Sequence, residues 1–208
     1  MSPTKKAAVP KSATKKPPAA ELSVIAFASP AAWSAWLKAN HASSPGLWLK
    51  LAKKGSGIDS VTYAEALDVA IEWGWIDGQK NTFDDAWWLQ KFTPRGAKSV
   101  WSKINCGKVE ALIAAGRMKP SGMKVVEEAR KDGRWDAAYE SQSKATVPED
   151  LAKALAANPK AAEFFATLNA ANRYAILWRV HSAKKAETRA RRIEQFVEML
   201  ARHESLHA

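Results

Sequence analysis

Cysteine, clustered histidine and long apolar runs are all scarce in this 208-residue chain, and each shortage removes a class of function. The one thiol, Cys106, makes no intrachain disulfide, so nothing in the sequence calls for an oxidising compartment. The four histidines (41, 181, 203 and 207) lie far apart or at the C-terminal end. With no HExxH, CxxC or GxSxG, neither a zinc site nor a hydrolase triad has a template, and no metal or cofactor is expected. Gly55 and Gly57 lack the third glycine and the Lys-Ser/Thr of a phosphate loop. No apolar run reaches the roughly 18 residues of a membrane span. The apolar stretch of a secretory signal is missing too. Pro10, Lys11, Lys15, Lys16, Pro17 and Pro18 stand where it belongs, and a cytoplasmic protein is expected.

Acid is absent from residues 1–20, which hold Lys5, Lys6, Lys11, Lys15 and Lys16 among alanine, proline and serine. That segment has too little apolar surface to offset the entropy of ordering, and reads as a disordered tail. It supplies +5 of the net charge of +11, leaving a moderately basic body with 27 basic and 21 acidic side chains. The body is 47% hydrophobic when counted with the tail and carries all 10 tryptophans, the composition of a globular core.

Hydrophobic periodicity divides that body. Residues 22–27 and 47–53 read as strands, the second alternating apolar and polar. Ser29-Pro30 opens a helix to about residue 39, with Trp33, Trp36 and Leu37 on one face. Thr62 and Glu65 form a capping box for the next helix, whose inward face is Tyr63, Ala66, Leu67, Ala70 and Ile71 and whose stop is Gly74. Residues 75–79 and 86–92 read as two further strands. Ser99 is the expected N-cap of a third helix, with Trp101, Ile104, Ala111, Leu112 and Ala115 facing inward. A helix over 120–130 follows, then helices near 149–157, 159–168, 171–181 and 184–202. The fold class is therefore α+β, a small, largely antiparallel sheet of three to four strands packed with helices and followed by an all-α part. The expected division is a tail (1–20), an α+β domain (21–140), a linker (141–148) and a helical region (149–208) packing on the first part.

Chemistry concentrates between residues 63 and 105. Trp73, Trp75, Trp87, Trp88 and Trp101 interleave there with Asp77, Arg95, Ser99, Ser102 and Asn105. Serines three apart, with Asn105 another three on, share one face of a helix start, where free amides favour an anion. Arg95 just before that start suits a carboxylate or phosphate. Asp77 pairs with it or acts as a base. The same residues also admit a purely structural account, as a cap, a turn and a bridge. The ligand-binding candidates are Asp77, Arg95, Ser99, Trp101, Ser102 and Asn105, the ligand an anionic small molecule or a protein partner. A second reading is nucleic-acid association through the five tail lysines and a basic helix face of Lys185, Arg189 and Arg192. A third is an enzyme with Asp77 as base and Arg95 as clamp.

The order of short motifs resembles the YdeI/OmpD-associated (bacteriocin-protection, OmdA-like) family. They run Trp36-Leu37, GLWL at 46–49, Ala66-Leu67, GWIDG at 74–78, Pro94-Arg95, SVWS at 99–102 and Asn105. Then follow GRM at 116–118, GRW at 133–135, Ala138-Tyr139, Val147-Pro148, Thr188-Arg189 and Arg192-Ile193. The resemblance covers about residues 25–202. It implies a small bacterial stress- or resistance-associated protein, tied to protection against bacteriocins or antimicrobial peptides and to an outer-membrane porin. It places any family site at the matching polar residues.

Overall fold

The structure, a computed structural model, describes residues 21–207, so the lysine-rich segment 1–20 lies outside it. The described chain runs β1 (Val24–Ala26), α1 (Pro30–Asn40), β2 (Leu47–Ala52), α2 (Tyr63–Glu72), β3 (Trp75–Thr82), β4 (Trp87–Pro94), α3 (Lys103–Ala114), α4 (Pro120–Lys131), α5 (Glu149–Ala156), α6 (Pro159–Thr167), α7 (Ala170–His181) and α8 (Ala186–Ala201). One sheet has the order β1-β2-β4-β3, with β1 parallel to β2 and the other pairs antiparallel. This is the expected α+β class with a helical C-terminal part.

Local chemistry accounts for the element starts. Ser29 caps α1 by accepting from the Ala32 amide, and Pro30 takes the position where its missing N–H costs nothing. The Thr62–Glu65 capping box closes in both directions at α2. In β2 every second side chain is buried, which puts Leu47, Leu49 and Leu51 on the helix-covered face. Trp33 and Leu37 of α1, Ala66 and Ala70 of α2, and Trp75 and Phe92 complete that core. Gly74 ends α2 at φ +79, and α4 crosses at this point. A Cβ on Gly122 would overlap the Glu72 carbonyl oxygen, so only glycine permits the approach.

Three expectations change. Tyr63 does not join the inward face of α2; it is exposed, and its hydroxyl donates to Asp77 Oδ2 at 2.7 Å. Helix α3 starts at Lys103, not Ser99, because Ser102 is the residue whose side chain accepts from an amide three positions on, that of Asn105. The inward face of α3 is accordingly Cys106, Val109 and Leu112, while Ile104 is exposed. Strands β3 and β4 also extend beyond their expected ends, to Thr82 and Pro94.

Buried Gln90 sets the path of β3. Its Nε2 donates to the carbonyls of Gly78 (2.9 Å) and Gln79 (3.2 Å), where the β3–β4 register shifts between Asp77 and Lys80. A second apolar cluster joins Leu151, Leu155, Phe165, Ile176, Val180, Ile193, Phe196 and Leu200 from α5 to α8. Arg189 ties its ends together. The guanidinium grips Asp150 with two bonds (2.5 and 2.8 Å) and donates to the Val180 carbonyl.

Candidate functional site

Arg95 leaves β4 with its amide bonded to the Gly74 carbonyl at 3.0 Å, which turns its side chain into the protein. The guanidinium donates to the Val100 carbonyl (2.9 Å) and lies 3.7 Å above the Trp101 ring. It is 8% exposed. Among the described residues no carboxylate forms an ion pair with it. Burial draws its pKa down to about 10, against the opposing pull of Cys106 and Asp77. Trp101 is buried too, and its Nε1–H has no acceptor. A buried cation without a carboxylate thus lies beside a buried indole N–H without an acceptor among the described residues.

The other sequence candidates are placed differently. Ser102 spends its hydroxyl on the Asn105 amide, and its backbone bridges to Tyr139. Ser99 sits in a turn closed by its own amide on the Gly96 carbonyl, so Ser99, Ser102 and Asn105 do not share a helix face. Asp77 accepts a hydrogen bond from Tyr63 and makes no ion pair with Arg95. Partial desolvation of its hydroxyl end, reinforced by Asp77, holds the Tyr63 phenol above its usual pKa although the residue as a whole is exposed. The set therefore splits. Arg95 packs on Trp101, next to the Ser102 cap, whereas Asp77 is hydrogen-bonded to Tyr63 and acts on Arg95 only through its charge. The basic helix face also dissolves. Arg189 is held by Asp150, and Arg192 donates to the Arg179 carbonyl and to Ser182 Oγ at 3.2 Å. The tail lysines lie outside the described residues.

On the far side of the 95–102 segment opens a cleft of about 370 Å³. Lys98, Val100, Arg134, Tyr139, His181 and Lys184 are among its lining residues. Arg134 reaches the Ser99 carbonyl (3.3 Å) and pairs with Asp132 (2.8 Å), which it holds below the usual carboxylate range. A neighbouring cavity of about 420 Å³ shares Tyr139, Trp178 and His181 with it. Tyr139 and Trp178 meet edge to face at 4.5 Å, and Tyr174 donates to the Glu140 carbonyl. The sequence carried a trace of this: Tyr174, Leu177, Trp178 and His181 recur at helical spacing, and that stripe faces the cavities instead of a core alone.

Residues 144–203 match the profile of a family described as "Bacteriocin-protection, YdeI or OmpD-Associated". That likeness is confined to the C-terminal 60 matched residues of the 208. Residues 25–125 match a separate profile, described as "Domain of unknown function (DUF8412)". No curated protein and no solved structure matches the chain. Of the resemblance read across 25–202, the YdeI/OmpD-associated match covers 144–203, and GWIDG and SVWS lie in the segment whose profile has no described role. The YdeI/OmpD-associated region contributes Trp178, His181, Ser182 and Lys184 to the cleft, and the other matched segment contributes Lys98 and Val100. Among the described residues no cluster of three metal-ligating side chains forms, and no helix is long and apolar enough to cross a membrane.

Proposed function

We propose that the chain serves bacteriocin protection, the role by which its C-terminal family is described, as a binding protein that holds an anionic small molecule in the cleft beside residues 95–102. The observation that carries this is one-sided charge. Lys98, Arg134, His181 and Lys184 line an enclosed space in which Asp132 is the sole acidic side chain, and Asp132 is already paired with Arg134. Among the described residues Lys98 and Lys184 then form no ion pair, and Tyr139 and Trp178 make the walls around them partly apolar. Arg95 adds a further, buried cation behind the wall. The cleft lies between the two proposed domains, 21–140 and 149–208, a division that the two separate apolar clusters support. A cavity of about 370 Å³ suits a metabolite better than a folded partner, whose interface needs roughly 800 Å² from each side.

Thermal shift against a panel of phosphorylated and polycarboxylate small molecules tests the proposal. At least one anion is expected to raise the melting temperature of the wild type. A Lys98→Ala/Lys184→Ala variant should keep its ligand-free melting temperature and lose that response. A panel without any response, or a response the double variant retains, sinks it.

A further inference from the structure

The sheet has a second face, and helices α1 and α2 leave it uncovered. Cross-strand partners point to the same side of a sheet, so the registers define this face. Trp48 pairs with Lys91, Lys50 with Leu89 and Ala52 with Trp87, and Val24 of β1 pairs with Trp48. Val24 is 45% exposed, and Trp48, Trp87, Lys50 and Lys91 are half-buried. Trp48 and Trp87 belong to neither apolar cluster, so they are not core residues showing at a seam, while Leu89 between them is buried. Lys50 and Lys91 pair with no carboxylate among the described residues. The Lys50 ammonium rests instead over aromatic rings, 4.2 Å from Phe83 and 4.8 Å from Trp87.

We propose that this open face binds single-stranded nucleic acid, with Trp48 and Trp87 each stacking on an unpaired base while Lys50 and Lys91 contact phosphates. Four residues along the strands and one strand across separate the tryptophans, about 14 Å, so each takes its own base. Base stacking on aromatic platforms, set among cations that follow the backbone, is how unpaired strands are held without sequence preference. A duplex buries its bases and offers these rings nothing to stack on.

Charge argues against the other occupants of the face. A second copy docked by two-fold symmetry brings lysine against lysine. The chain's own N-terminal segment carries five lysines and no acid, so it repels the face. The site shares no residue with the cleft, so the two proposals stand or fall separately.

Fluorescence anisotropy of the full chain with fluorescein-labelled oligo(dT), at two or more salt concentrations, is the test. The wild type is expected to bind the single strand at least about tenfold tighter than a duplex of equal length. Trp48→Ala and Trp87→Ala should each weaken binding about 5- to 150-fold, while Trp48→Phe keeps most of it. Lys50→Gln should flatten the slope of log affinity against log salt by about 0.7, the contribution of one phosphate contact, whereas Lys160→Gln on α6 leaves it alone. Lys50→Glu/Lys91→Glu removes only the contacts of Lys50 with the Phe83 and Trp87 rings and touches neither apolar cluster, so it should fold and fail to bind, which covers the case of a tryptophan variant that unfolds. The proposal is overturned by duplex preference, by wild-type affinity in Lys50→Glu/Lys91→Glu, or by binding lost only on deletion of residues 1–20. Trp48-dependent sedimentation with phosphatidylserine-containing vesicles, without oligonucleotide binding, overturns it equally and makes the face a membrane-surface site.

Discussion

Replacing Arg95 by methionine separates a residue kept for a ligand from one kept for the fold. In the folded protein the guanidinium is buried without a carboxylate, and its pKa falls from the ordinary arginine value to about 10. At 1.36 kcal/mol for each tenfold change in proton affinity, holding the charge there costs about 3 kcal/mol. Two contacts oppose that cost. The charged hydrogen bond to the Val100 carbonyl is worth about 1.5–3 kcal/mol, and the stacking on Trp101 about 0.5–2 kcal/mol. The terms nearly cancel. Methionine keeps much of the volume, loses both contacts and removes the buried charge, so Arg95→Met should change unfolding free energy by less than about 2 kcal/mol. Arg95→Ala leaves a cavity and should cost about 2 kcal/mol or more beyond that. Urea denaturation followed by circular dichroism, with an unchanged m-value, measures both. The pH dependence has a definite sign. Arg95 is charged in both states near neutrality, so the difference between wild type and Arg95→Met is flat from pH 6 to 8. Above about pH 10 the unfolded state binds more protons at this residue than the folded state, and the wild type gains relative stability as pH rises. A loss above about 3 kcal/mol in Arg95→Met refutes the reasoning and makes the guanidinium a structural tie.

Further outcomes follow from the packing. Gly122→Ala drives a methyl group into the Glu72 carbonyl and should destabilise by about 3 kcal/mol or more; a melting temperature within a degree of wild type would contradict the α2–α4 contact. Ser102→Ala should cost about 0.5–2 kcal/mol through the lost cap of α3, and Ser99→Ala less than about 0.5; the reverse order in urea would return the cap to Ser99. The hydrogen bonds from Arg189 hold the Asp150 carboxyl below its usual range. Their contribution is present above the unfolded carboxyl pKa and lost as pH falls through the lower folded value. Melting temperatures taken from pH 6 to 3 should therefore drop more steeply for the wild type than for Asp150→Asn, and parallel curves would rule this out.

Much of the fold could be read locally, because its signals were local. The Thr62–Glu65 box, Ser29-Pro30, the stop at Gly74 and the alternation of β2 each need only a few neighbouring residues. Where two local signals compete, tertiary contact decides. Ser99 and Ser102 are equally good caps by type, but the ladder of backbone bonds from Trp101 and Lys103 to Tyr139 fixes the chain as extended until Ser102. The register of α3 moves with it, which is why Ile104 turns outward. Tyr63 fitted the helical period and still left the core, because Asp77 across the sheet edge offered its hydroxyl a partner. The candidate site was half legible. Arg95 and Trp101 stood out by type, but nothing local says that the guanidinium is buried without a carboxylate or the indole N–H without an acceptor. The cleft was not legible at all. It takes Lys98 from one segment, Arg134 from another and Lys184 from after α7, and no spacing within 90 residues of chain links them.

The buried amide of Gln90 has a consequence beyond the hairpin it shapes. Strand β3 is the last in the sheet, and a terminal strand normally offers an even row of unpaired amides and carbonyls to any passing extended chain. By claiming the carbonyls of Gly78 and Gln79 and forcing a register shift between Asp77 and Lys80, Gln90 breaks that row at its middle. What is left beyond the break is Lys80, Asn81 and Thr82, exposed and polar. One inward glutamine thus ends the sheet, and it protects a tryptophan-rich protein from growing by edge-to-edge aggregation on that side.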